Sequence, residues 1–412
     1  MQRLNLTITA QAPLAIGQRK PGGSVSEASD YISGTVVRGA IAGKLLQYGT
    51  PEDGDDFHKL FVDESAAIFQ NAYPAIAQLG DDQYCLSPGE TRVLPATALS
   101  SKTDSGFKPK KAGVFDALID SFCAREQGLF YEPNSKEGDR VEPLSGFYSK
   151  VKDQYHSHAV SKRLLTRVGI NRRRATAQDE ILYSLEVLNQ TQGKKTPQAT
   201  VYRGAILLED PDLARGLCTF IQQNCDRFRL GGSASRGLGQ VKITADLSAV
   251  TPDPTNVQQR LDAFNQCLDH RWHLWSCFGE NNTAIQGKTF FTIDLASAAI
   301  LTDNWRHTYV LSAELLRQLV AQPPGEVTLE MAYSSYDYRS GWNAAWGLPK
   351  DMELVTAMGS VFLFSVLDAD KDAWAEQLAQ LTLTGIGDRT NEGFGQIRVC
   401  DEFHQIMREE PV

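Results

Sequence analysis

The sequence predicts an α+β protein with antiparallel sheets, made of two copies of one β-α-β-β-α-β plan. Three observations carry the prediction. Two glycine-rich segments, "GGSASRGLGQVKI" at 231–243 and "GIGDRTNEGFGQIRV" at 385–399, align at Gly237 and Gly393 as glycine, five residues, glycine, apolar, glycine, glutamine, apolar, basic, apolar. Ahead of each lies an amphipathic helical pattern: Leu213, Leu217, Phe220 and Ile221 in the first half, Trp374, Leu378 and Leu381 in the second. Each half also opens on an alternating strand, "RLNLTITA" with Leu4, Leu6 and Ile8 on one face and "TFFTIDLA" with Phe291, Ile293 and Leu295 on one face.

The remaining elements follow from local signals. Helices are expected at "TVVRGAIAGKLLQY" and "SAELLRQLVA", and short strands at "FRL" and "LTL" just before the two glycine loops. That order is the ferredoxin-like plan, twice. "TPDPTNVQQ" has the proline and polar content of a linker, which puts the first domain at 1–250, a linker with a helix at 251–284 and the second domain at 285–412. The first half is too long for a bare fold of this kind, so residues 50–160 are read as insertions.

Composition bounds the function. The formal net charge of −9 argues against a freestanding, non-specific nucleic-acid binder but leaves room for a locally basic groove. Seven cysteines without a close CxxC pair suit free thiols in a reducing compartment. With no signal-peptide pattern and no apolar run of membrane-span length, the expected location is the cytoplasm.

Glycine allows positive φ and close backbone approach, so the loops can present N–H groups to phosphates. Neither loop fits a dinucleotide or P-loop motif, because both lead into strands rather than helices. A plain reading stays open, in which both are tight turns that close hairpins. The residues also resemble a known family. A glycine-rich loop near the end of an RRM-like fold marks the RAMP superfamily of CRISPR-associated proteins, and both segments are similar to it. The resemblance extends to the large two-domain RAMP subunit of type III-D effector complexes in "PLAIGQRKPGG", "DYISGTVVRGAIAGKLL", "WGLPK" with "AMGSVFLF", and "GIGDRTNEGFGQIRV". It implies two RRM-like domains in a non-catalytic subunit for antiviral defence, which binds the 5′ handle of crRNA. The implied partners are crRNA, the large polymerase-like subunit and neighbouring RAMP backbone subunits, with no cofactor, metal or membrane.

The expected RNA contacts are Gly231, Gly232, Ser233, Arg236, Gly237 and Gly239 in the first loop. In the second they are Gly385, Gly387, Arg389, Asn391, Gly393 and Gly395. Lys20 joins them from "PLAIGQRKPGG", and Arg38 from the start of its helix, whose N–H groups favour an anion. "SKRLLTRVGINRRR" concentrates Arg163, Arg167, Arg172, Arg173 and Arg174 without an acid, read either as a phosphate track or as a solvated charge run. "EGFGQIRV" departs from the RNA-contacting RRM strand motif, with Glu392 at the basic position and Gln396 for a stacking aromatic, so RNA would be held by backbone and loop contacts. The first loop is favoured, because Arg236 stands where the second has Glu392.

Other candidates are weaker. Gly39 and Gly43 are read as packing contacts, Trp342 and Trp346 of "WNAAWGLPK" as core residues near Lys350, and Asp81 and Asp82 as a loop. Cys267, His270, His273 and Cys277 are potential ligands, but one rigid helix cannot wrap four of them around zinc, so an amphipathic helix with Leu274 and Trp275 packed is expected. The alternative function is a metal-independent endoribonuclease that processes CRISPR repeat RNA. Its only clustered candidates are Lys152, Tyr155, His156 and His158.

Overall fold

A computed structural model describes residues 1–18, 27–52, 54–63, 66–80, 83–134, 140–171, 176–279, 283–343 and 347–412. Strand β1 (Gln2–Ala10) alternates as expected and buries Leu4, Leu6 and Ile8. Helix α1 (Gly34–Leu45) adds Val37 and Ile41 to the same core and leads to β2 (Ala67–Phe69). The inserted residues form helix α2 (Leu118–Glu126) and the paired strands β3 (Phe147–Val151) and β4 (Gln154–His158). A long hairpin, β5 (Lys162–Asn171) with β6 (Thr176–Leu188), precedes β7 (Val201–Leu208). Helix α3 (Pro211–Gln223) starts where Asp210 caps it and Pro211 presets its first turn, and β8 (Gln240–Ala249) closes the unit. The antiparallel sheet runs β8, β1, β7, β2, with the two residues Phe228–Arg229 outside β8.

The second unit repeats this order. Helix α4 (Pro254–Ser276) precedes β9 (Lys288–Leu295), α5 (Ala313–Leu319), β10 (Val327–Tyr333), β11 (Val361–Leu367), α6 (Lys371–Thr384) and β12 (Ile397–Val399). Its antiparallel sheet runs β10, β11, β9, β12. In both sheets the last strand lies beside the first, the first beside the third, and the third beside the second.

Several local expectations are corrected. "LTL" is not a strand. Leu381 and Leu383 continue α6 with buried side chains, and the helix ends at Gly385, whose φ of 78° breaks it. A Cβ at Gly39 or Gly43 would meet nothing within 4 Å, so neither is a close packing contact. The close approach is at Gly34, where a Cβ would strike the Phe69 carbonyl. Trp342 is 55% exposed and is not a core residue, while Trp346, Asp81 and Asp82 lie outside the described residues. The helix expected within 251–284 is α4, where Asp253 accepts from the Asn256 N–H and Pro254 occupies the first turn. Along α4, Trp275 packs against the core but Leu274 is exposed.

The insertion reaches across the molecule. Leu118, Ile119, Phe122 and Cys123 of α2 share one core with Leu261, Phe264 and Leu268 of α4 and with Phe290 and Phe291 of β9. Buried Asp120 accepts from Arg271 Nε at 2.6 Å and Nη2 at 2.9 Å, and from Trp275 Nε1 at 2.8 Å. His404 is fully buried between Asp116, 3.1 Å from Nδ1, and Asp294, 2.8 Å from Nε2. Burial pulls the His404 pKa down, but the two carboxylates outweigh it and raise it well above the ordinary imidazole value.

Candidate nucleic-acid interface

The two glycine loops are the same piece of backbone. In the first, Leu230 N donates to Gly239 O at 2.8 Å, Gly232 N to Ala15 O at 2.9 Å and Gly239 N to Pro13 O at 2.9 Å. The second repeats the set with Ile386 N to Gly395 O at 2.9 Å, Asp388 N to Ile300 O at 2.9 Å and Gly395 N to Ala298 O at 2.8 Å. Between these bonds each loop makes a 3₁₀ turn, Ala234–Arg236 or Thr390–Glu392. Left-handed residues flank both turns, Ser233 (58°) and Gly237 (84°) in one, Arg389 (56°) and Gly393 (94°) in the other. A Cβ at Gly231 would strike the Ala15 carbonyl, and one at Gly387 the Ile300 carbonyl. The repeated glycines thus let the loop close on the segment that follows the first strand of its own unit.

What covers the loops differs. Gly237 is exposed, and a Cβ there would meet nothing within 4 Å. The middle of the β5–β6 hairpin stands beside it. Arg236 lies over the Tyr183 ring, 5.6 Å from its centroid, and donates to the Tyr183 hydroxyl. Arg167, paired with Tyr183 in the hairpin register, approaches the Arg236 carbonyl with both Nη atoms at 3.5 Å. Arg163 is exposed on the same strand four residues away, hence on the same face. The fold therefore joins two stretches that are separate in sequence, the first loop and the start of the basic run. Tyr183, which the sequence did not single out, is the side chain that connects them. Lys20, Arg172, Arg173 and Arg174 lie outside the described residues.

The second loop is covered. A Cβ at buried Gly393 would lie 2.7 Å from Phe69 O, 2.8 Å from Asn71 Oδ1 and 3.2 Å from Gly34 Cα, all in the first unit. Thr35 Oγ1 donates to the Glu392 carbonyl at 3.2 Å. The Glu392 carboxylate accepts from Lys350 Nζ at 2.9 Å and Arg389 Nη2 at 2.6 Å. Burial pushes the Glu392 pKa up, and these two cations more than reverse it, holding it below the usual carboxylate range. Arg389 also lies 5.3 Å from the Phe394 ring centroid and 3.5 Å from Glu353. Asn391 and Gly395 sit in the same partly covered loop, with Gly385 at its base. Arg38 belongs to this side too: it lies over the Phe61 ring, donates to the Phe61 carbonyl, and has its pKa lowered by burial.

The nuclease candidates do not converge on a cleft. Tyr155 packs with Phe107, Tyr148 and Phe403 in a buried cluster, and His158 is buried against Ser149, 2.8 Å from its Oγ. Burial lowers the His158 pKa to about 4. Lys152 is a left-handed turn residue and His156 is only partly exposed. Cys267 is half-buried along α4, while His270, His273 and Cys277 face outward. No described helix is long and apolar enough to cross a membrane.

No family model matches the chain, and no curated protein matches it. Among solved structures, the chain is similar to a chain of the type III-B Cmr-beta complex bound to cognate target RNA and AMPPnP, at 12% identity over 87% of this chain and 86% of that one, TM-score 0.38. It is similar to a chain of the Cmr-beta complex bound to cognate target RNA at 14% identity over 87% and 86%, TM-score 0.37. Oligomeric Cmr4 from Pyrococcus furiosus matches at 13% identity over 60% of this chain and 99% of that one, TM-score 0.25.

Proposed function

We propose that the chain is a non-catalytic RNA-binding subunit of a type III CRISPR effector complex, of the two-domain RAMP kind, that holds the crRNA 5′ handle. One observation carries the reading: an uncovered glycine loop and a basic hairpin meet at Arg167, Tyr183 and Arg236. The two sheets, each with its last strand beside its first, read as two ferredoxin-like domains, as the resemblance to RAMP proteins implies.

In this reading Arg163, Arg167 and Arg236 supply guanidiniums to successive phosphates, and the exposed turn at Gly237 lets the RNA backbone come close to the main chain. The last strand brings no aromatic to stack a base, so binding is through the backbone and strongly salt-dependent. The burial of Tyr155 and His158 favours a subunit that holds RNA without cutting it. The free thiols fit a reducing cytoplasm. The test is purification from the native cell, with the bound RNA sequenced and the proteins identified. RNA with a repeat-derived 5′ end, together with a polymerase-like large subunit and other RAMP subunits, is expected. Cleavage of repeat RNA by the isolated chain would replace this reading with the endoribonuclease one.

A further inference from the structure

We propose that the cleft between the two units is a second, separate site, which binds a phosphorylated small molecule of nucleotide size. The cleft measures about 790 Å³, within the range of small-molecule sites. One wall is the face of the first sheet turned away from its helices. Leu4, Leu6 and Ile8 take the helix side of β1, so Arg3, Asn5 and Thr7 take the other. Thr7 pairs with Arg203 across the sheet, which puts Arg3 and Arg203 on one face, separated by roughly 13 Å along the strands. Arg260 of α4 and Gln396 before β12 line the cleft from the second unit.

The carboxylates of this cleft are unevenly shared among its arginines. Arg92 is matched by Glu402, and Arg398 by Glu90 and Asp401. Arg3, Arg203 and Arg260 have no carboxylate in ion-pair range among the described residues. Their bonds go to neutral oxygens instead: Arg3 Nε to Asn5 Oδ1 at 2.9 Å, Arg203 Nη1 to Ser87 O at 2.6 Å, and Arg260 Nη1 to Val399 O at 2.8 Å. Arg260 Nε and Gln396 Nε2 are buried N–H groups with no acceptor. Burial lowers the pKa of both Arg3 and Arg260, and it outweighs the more distant carboxylates of Glu90 for Arg3 and of Asp294 and Asp401 for Arg260. Among the described residues these two orphaned groups of the cleft are donors, and together with three guanidiniums that lack an ion pair they favour an anionic ligand. Guanidiniums this far apart call for several separated oxygens, which a chain of phosphoryl groups supplies, and the amide side chains of Gln70 and Asn256 on the cleft wall suit the edge of a base.

The experiment is calorimetric titration of the full chain with ATP, without divalent metal, and with adenosine as the uncharged control. ATP should bind and adenosine should not. Arg3→Met and Arg260→Met should each weaken ATP binding by roughly tenfold or more. Neither should lower the melting temperature of the unliganded protein by more than the loss of one hydrogen bond to a neutral oxygen, because neither takes away an ion pair among the described residues. Arg236→Ala, on the RNA side, should leave ATP binding unchanged, which keeps this test independent of the crRNA reading. Absence of ATP binding, or parental affinity in both methionine variants, would overturn the proposal. So would a short 5′-phosphorylated oligonucleotide that binds through Arg3 and Arg260 where ATP does not.

Discussion

The first and second glycine loops share their hydrogen bonds, their left-handed residues and their 3₁₀ turns, and they differ in what lies over them. Gly237 faces open space beside a basic hairpin, whereas Gly393 is pressed against Phe69, Asn71 and Gly34 of the other unit. The common part explains why the pattern repeats: each loop must turn the chain tightly into its last strand while hydrogen-bonded to the segment after the first. The difference shows why the residues beside the central glycines diverged. Arg236 rests on Tyr183 with no carboxylate in ion-pair range among the described residues and can take part in binding an anion, and Glu392 is an internal anchor for Lys350 and Arg389.

The largest effect expected from breaking this comparison is at Gly393. Valine there combines a left-handed φ with contact on two backbone neighbours and the Asn71 side chain, and should cost about 4 kcal/mol of stability. Gly237→Val carries only the backbone strain, about 1–2 kcal/mol, and should instead weaken RNA binding per folded molecule. Thermal melts of both variants, paired with RNA titration, check this. Equal melting temperatures would contradict the covered position of Gly393.

The arginines should separate next. Arg167→Ala with Arg236→Ala should cost about 2 kcal/mol of affinity for handle RNA and make its salt dependence shallower by about two counterions, with the melting temperature kept. Arg389→Ala should do the reverse, losing about 1 kcal/mol of stability and no RNA affinity, because its guanidinium is committed to Glu392. Titrations at several salt concentrations read both.

The smallest effect is a pH dependence confined to the second loop. The folded Glu392 pKa is depressed, so its stabilisation is complete above the ordinary carboxylate value of about 4.3 and is lost as pH falls through the lower folded value. Glu392→Gln should lower stability near neutrality by about 1 kcal/mol and flatten that acid limb, measured by denaturant melts from pH 7 to about pH 3.

Much of the frame was legible because its signals are local. Alternation marked β1 and β9, and the spacing of Leu213, Leu217 and Ile221 marked α3. The glycine echo found both loops. The error at "LTL" arose because three residues cannot distinguish a strand from the last turn of a helix, and Gly385 sets the boundary only once its φ is known. The candidate site was half legible. Arg236 and Arg167 stood out by composition, but their meeting depends on a hairpin register that pairs Arg167 with Tyr183, and register is not written in either strand alone. The cover over Gly393 was invisible for a related reason, since contacts between units join residues more than 300 positions apart.

Helix α2 has a consequence for how the chain is made. Asp120 and Arg271 lie 151 residues apart, yet they seal one core, and Asp116 reaches still further to His404. During synthesis α2 emerges early, with Leu118, Ile119 and Phe122 waiting for a sheet whose first strand starts at Lys288. That wait leaves apolar surface open to a chaperone or to another nascent chain. It also means that a fragment beginning near residue 251 would be translated without a piece of its own interior.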